Sequence, residues 1–206
     1  MKILVAHNAY QQSGGEDVVV DAEVTLLRGY GHDVEVYRRH NDELNNMPKA
    51  SAALSAIWSH QSARELGDVC ETFQPDLIHA HNTFPLISPS FSWMAANRNI
   101  PVVQTLHNFR LLCPQAMFLR NGRVCEDCLG KLPWRAIIRN CYRDSGFQSA
   151  VAVGMIATHR SIGTYRNRIT RYIALNAFCR DKFIQGGLPA DRFRIKPNFV
   201  ASRHVP

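Results

Sequence analysis

Four of the six cysteines, Cys113, Cys125, Cys128 and Cys141, stand in the pattern C-x11-C-x2-C-x12-C. The central Cys125-Glu126-Asp127-Cys128 has the chelate spacing of structural zinc sites, and the two outer thiolates would complete a tetrahedral set. A structural zinc staple is one reading of these residues, and unliganded thiols or a redox pair are the others. A redox C-x-x-C normally opens a helix in a thioredoxin-like unit, whereas this one follows the turn Asn121-Gly122. Cys70 and Cys179 fall in predicted helices and read as buried apolar residues.

A second chemistry recurs along the chain. His7-Asn8, His79-Ala80-His81-Asn82 and His107-Asn108-Phe109-Arg110 each follow a short apolar run. Imidazole and amide groups can bond sugar hydroxyls or phosphate, and an arginine offers phosphate paired donors. Taken singly, each of these histidines reads more simply as a structural residue bonded to a loop carbonyl. Gly14-Gly15 would let a backbone approach a ligand closely, with the free N–H groups of the following helix attracting an anion. The bland alternative is a tight turn that needs glycine. Neither G-x-G-x-x-G nor G-x-x-x-x-G-K-[ST] is present, which removes support from redox-cofactor and NTPase readings.

The chain has 206 residues and a formal charge of +7, from 24 Lys and Arg against 17 Asp and Glu. The size suits one α/β domain with its own core, and the charge favours an anionic partner. Lys131, Arg135, Arg139 and Arg143 interleave with Leu132, Trp134, Ile137, Ile138 and Tyr142, a mixture that suits a membrane surface or nucleic acid. A partly buried excursion with a solvated rim is the structural alternative. No apolar stretch reaches the roughly 20 residues of a bilayer span, and Met1 to Ala6 is too short for a signal peptide, so a cytoplasmic location is expected.

The elements that must position these groups alternate between strand and helix. Ile3–Ala6 reads as a strand, Glu16–Leu27 as a helix with Val18, Val19, Ala22, Leu26 and Leu27 on its apolar face, and Asp33–Tyr37 as a second strand. Residues 38–48 read as a loop and 49–73 as one long helix. Strands follow at 77–80, 101–106, 171–175 and 193–196, with helices at 88–97, 147–168 and 177–186. Residues 113–144 interrupt this pattern and read as a Cys-rich insertion. The implied fold is α/β, a Rossmann-like doubly wound, mostly parallel sheet. Ligands of such sheets bind at the carboxyl ends of the strands, where the three His-Asn clusters should converge.

The assembled motifs resemble the N-terminal domain of family 4 glycosyltransferases. The resemblance is carried by Gly14-Gly15-Glu16 after the first strand, Pro75-Asp76-Leu77-Ile78-His79-Ala80-His81-Asn82, Thr105-Leu106-His107-Asn108-Phe109-Arg110 and Pro197-Asn198-Phe199-Val200. A subgroup of that family is also similar from Leu111-Leu112-Cys113-Pro114 to Cys141-Tyr142-Arg143. The resemblance implies a GT-B enzyme that transfers sugar from a nucleotide-sugar donor with retention of configuration and without an essential catalytic metal. It implies that Gly14 and Gly15 lie near the donor diphosphate and sugar, and that His107 lies beside the transferred sugar. Glu16, His81, Asn82 and Arg110 would line the acceptor side.

Residues 1–197 would then form the acceptor-side domain and 198–206 the start of an interdomain linker. The donor-binding half, with its E-x7-E motif, has no counterpart in the sequence, so little transferase activity is expected without it. A companion chain, or a longer form of the same protein, would supply it. The expected partners are the donor, a glycan or lipid-linked acceptor, and the inner membrane surface, where the protein would be peripheral. Two other classes compete. One is a non-catalytic module binding a glycan or lipid-linked acceptor. The other, weaker because the basic residues are dispersed, is a zinc-containing nucleic-acid binder, and no nucleic-acid partner is expected.

Overall fold

The computed structural model describes residues 1–12 and 14–199. Six strands form one parallel sheet: β1 (Lys2–Ala9), β2 (Asp33–His40), β3 (Leu77–Ala80), β4 (Val102–Leu106), and two later strands at Arg171–Ala174 and Phe193–Ile195. Between β4 and those two lies a short antiparallel hairpin of β5 (Leu119–Arg120) and β6 (Arg123–Val124), which makes the later strands β7 and β8. The sheet order is β2-β1-β3-β4-β7-β8. The chain leaves β1 toward one edge and returns through β3 on its other side, so the topological switch point lies between β1 and β3. The Rossmann-like reading of the sequence holds.

The helices are α1 (Gly15–Gly29), α2 (Lys49–Ile57), α3 (His60–Phe73), α4 (Phe91–Asn97), α5 (Arg135–Ile138), α6 (Gly146–Ser161), α7 (Thr164–Asn167) and α8 (Ala177–Gln185). Several expectations need correction. β2 extends to His40 because it pairs with β1 along its whole length, ending at Ala9 opposite His40, and a 3-10 turn Asn41–Asn46 follows where a loop was expected. The long helix expected over 49–73 is two helices. Ser59 caps α3 through the Ser62 amide, while its own N–H donates to Ser88 Oγ, so serines distant in sequence stabilise the break. The helix expected over 147–168 is also divided, at Gly163, whose φ of +74° an L side chain rarely adopts.

On α1, Val18 and Leu26 face solvent, and the buried stripe is Asp17, Val19, Val20, Glu23 and Val24. The main core joins Leu4, Leu66, Ile78, Phe91, Leu112 and Tyr172 across the sheet. Cys70 belongs to this core and Cys179 packs against it, as read from the sequence. Residues 113–144 run from the end of β4 toward α6 as turns, the β5–β6 hairpin and α5. The linker expected at 198–206 lies outside the described residues from Val200 onward.

Candidate functional site at the β1–β3 switch point

The carboxyl ends of β1, β3 and β4 bring the histidine clusters together. His81 Nδ1 lies 3.0 Å from His107 Nε2, and the two rings stack at 5.3 Å between centroids. His79 lies 4.3 Å from His81, and His7 meets His81 edge-on at 6.2 Å. Burial pulls His79 and His81 well below the ordinary imidazole range, and their neighbouring imidazoles add to the shift. His107 is lowered too, first by burial, against the opposing Glu16 carboxylate. The cluster is therefore neutral at pH 7. Among the described residues His107 Nδ1 is buried without a hydrogen-bond partner, which leaves it available to a ligand hydroxyl.

The N-terminus of α1 forms the opposite wall. Glu16 accepts hydrogen bonds from Tyr10 Oη and Asn108 Nδ2, both at 2.9 Å, and lines one small crevice with His81 and His107. Gly14 has extended backbone and Gly15 does not have a positive φ, so neither position needs glycine for its conformation. A Cβ on Gly15 would meet nothing within 4 Å, whereas one on Gly14 would make ordinary contact with Tyr10 and Asp17. The tight-turn explanation thus loses its basis. One detail differs from the sequence reading: the Gly14 N–H is not free, because it donates to Asp17 Oδ2 at 2.7 Å.

Asp17 also receives His7 Nε2 at 2.7 Å. Burial by itself would raise the Asp17 carboxyl, but the Gly14 and His7 hydrogen bonds outweigh it and hold the group below its usual range. Asn82 lines the site, yet its amide is engaged in structure. Nδ2 donates to the Asn8 carbonyl at 2.8 Å and Oδ1 accepts from the Phe84 N–H at 3.1 Å. These bonds brace the loop after β3, while Asn82 still lines both cavities at the site. Arg110 lies over the Phe84 and Tyr142 rings, at 4.9 and 4.4 Å, and donates to the Pro114 carbonyl.

Two cavities meet here. The crevice at His107 measures about 30 Å³, and a groove of about 700 Å³ adjoins it between α2 and α6. Both are lined by Asn82, Phe84, Asn108 and Arg110, so the two adjoin at these residues.

Sequence reasoning missed Glu23 and Lys196. Glu23 Oε2 stands 3.2 Å from His81 Nε2 and 3.9 Å from His79 Nδ1, while its Oε1 contacts Lys196 Nζ. A carboxylate at helical spacing among the valines of α1 was the available signal. Glu23, His79 and His81 present ligand atoms within 4.8 Å of one another, a set able to hold a cation. Lys196 already supplies a positive charge there.

The cysteines of the expected zinc set are neighbours in the fold. Cys113 and Cys128 are buried, Cys125 and Cys141 half-buried, and all are free thiols. Burial, then Cys113, Cys141 and Cys125 in turn, push the Cys128 thiol up to about 12. Thiols crowded enough to oppose one another's ionisation are a donor set that fits Zn²⁺ chemically. Their sulfurs do not form a set closed within 4.8 Å.

The fold has known counterparts. The chain superposes on UDP-GlcNAc 2-epimerase from Neisseria meningitidis bound to UDP-GlcNAc with a TM-score of 0.53 and 12% identity, covering 96% of this chain and 46% of that one. The MnaA–UDP structure from S. aureus gives 0.52 and 11% identity, with 96% and 44% covered. MurG from Acinetobacter baumannii gives 0.48 and 11% identity, with 99% and 47% covered. The chain thus spans less than half the length of these proteins. A search of curated protein sequences gave no match. The sequence profile of Glycosyltransferase Family 4 matches residues 13–203, nearly the whole chain, and the chain therefore belongs to that family.

Proposed function

We propose that this chain is the acceptor-side half of a retaining glycosyltransferase, moving a sugar from a nucleotide-sugar donor to a glycan or lipid-linked acceptor. The observation that carries the reading is the crevice in which the α1 N-terminus, through Glu16, faces His81 and the unpartnered His107 Nδ1. In this role His107 bonds a hydroxyl of the transferred sugar and holds the reacting carbon toward the groove. Gly15 leaves room for the donor diphosphate and sugar against the start of α1. Glu16 and Arg110 border the acceptor. The UDP and UDP-GlcNAc named for the structural neighbours favour a uridine nucleotide as donor.

The half that holds the nucleotide comes from outside residues 1–197, in the same polypeptide or a companion chain, and stabilises the departing diphosphate. A structural Zn²⁺ held by Cys113, Cys125, Cys128 and Cys141 would tie the segment 113–144 together. Exposed Leu132, Trp134 and Ile138 beside Lys131, Arg135 and Arg139 suit contact with an anionic membrane surface. Among the described residues no helix is long and apolar enough to cross a membrane.

The test is transfer from labelled nucleotide sugars by the protein purified at its native length from its own cells, with the anomeric configuration of the product read by NMR. Retained configuration and dependence on His107 are expected. Inversion, or the failure of every nucleotide sugar to bind or react, overturns the reading.

A further inference from the structure

We infer that the groove between α2 and α6 binds an anionic amphiphile, an alkyl or isoprenoid chain ending in a phosphate. That this ligand is the acceptor rests on the transferase reading, but its binding does not.

Three observations converge on this ligand. The groove, at about 700 Å³, has the size of a small-molecule site, and its walls are largely apolar, with Leu44, Ala53, Ala56, Phe84, Phe147 and Val151 among them. Asn41, Ser145 and Gln148 also line the groove and offer partners to a few hydroxyls, while methylene groups would bury favourably along its apolar walls. Where groove and crevice meet, Arg110 is a cation without a carboxylate within 4.0 Å among the described residues.

Its surroundings explain why that matters. Glu16, the carboxylate on the facing wall, is engaged by Tyr10 and Asn108. Arg110 is instead held between the Phe84 and Tyr142 rings and bonded to one backbone carbonyl. Burial lowers its pKa, so the free protein bears a desolvation cost that a phosphate would offset. Lys49 and Arg143 are exposed, line the same groove and have no ion pair among the described residues. Cations at the junction and rim with apolar walls between them match an amphiphile whose head is an anion. The junction also sets that head beside His107, where a sugar would be received.

The experiment measures binding to the native-length protein, with no donor present, of decyl phosphate, octyl phosphate, inorganic phosphate and the uncharged decyl glucoside, all below their micellar concentrations. Each buried methylene should contribute about fourfold in affinity, so octyl phosphate, two methylenes shorter, should bind about fifteenfold more weakly than decyl phosphate. Inorganic phosphate, which lacks the chain, should bind at least about a thousandfold more weakly even if only half of the ten carbons are buried. Arg110→Gln should weaken decyl phosphate about tenfold or more. Ala53→Phe, which fills the groove and leaves Arg110 in place, should abolish chain-length dependence at unchanged melting temperature.

Equal binding of decyl glucoside overturns the anionic head, and inorganic phosphate binding as tightly as decyl phosphate overturns the chain. Unaltered decyl phosphate binding by folded Ala53→Phe overturns the location. Transfer to a water-soluble glycan alongside any of these negatives would leave the transferase reading intact and remove only this ligand.

Discussion

His81 Nδ1 and His107 Nε2 approach to 3.0 Å across the ends of β3 and β4, joining residues 26 positions apart in sequence. One of these nitrogens carries the proton and the other accepts it. With His107 Nε2–H donating to His81 Nδ1, His107 Nδ1 is left to accept from a ligand hydroxyl; with the opposite tautomer it donates to one. On the proposed transferase reading, His107→Ala in the native-length protein should lower kcat by about two orders of magnitude, the scale of losing a transition-state contact. Unchanged kcat would remove His107 from the reaction.

Gly15→Val separates the two readings of the Gly14-Gly15 pair. The added side chain meets open space and an ordinary backbone, so stability should change by less than about 0.5 kcal/mol in urea denaturation. If the donor approaches past Gly15 as proposed, transfer should nevertheless fall about tenfold or more, because the side chain would occupy that approach. Full activity in the folded variant would mean that nothing approaches there.

Glu23 is buried with Lys196 as its cationic partner, and Lys196 is about one-third exposed. Glu23→Ala should destabilise the protein by about 2–3 kcal/mol, below the full cost of breaking a buried pair because the lysine reaches solvent. Lys196→Met should cost more than the double variant Glu23→Leu/Lys196→Met, since it leaves the carboxylate buried beside neutral imidazoles. A double-mutant cycle by urea denaturation with zero coupling would dismiss the pair.

The neutral histidines give stability a pH dependence with a defined sign. Their folded pKa values lie below the unfolded value near 6.5. Above that pH both states are neutral and the histidines add no pH dependence. Below it the unfolded chain binds protons that the fold excludes, so stability falls. Asp17, whose folded pKa is depressed, contributes in a separate window: its stabilisation is present above about pH 4 and is lost as pH falls through the lower folded value. The melting temperature should decline between pH 7 and 5, and a flat profile would contradict neutral burial.

Protein purified without chelator should carry about one equivalent of zinc, and Cys125→Ser or Cys128→Ser should release it and lower the melting temperature. Metal-free protein with four titratable thiols and the same stability would reject the staple.

The central strands β1, β3 and β4 were legible because each is a short, largely apolar run that a parallel sheet buries on both faces, and because each leads into its own His-Asn label. Ile3–Ala6, Leu77–Ala80 and Val102–Leu106 needed no partner to be recognised. Local pattern could not divide the helix at Ser59, since its break depends on Ser88, 29 positions away. Nor could it pair Glu23 with Lys196, 173 positions apart. The residue types and their order determined that histidines would stand at strand ends. Only the tertiary structure decided which nitrogens face a ligand and which amides brace the backbone, because hydrogen-bond geometry is satisfied in space and not along the chain.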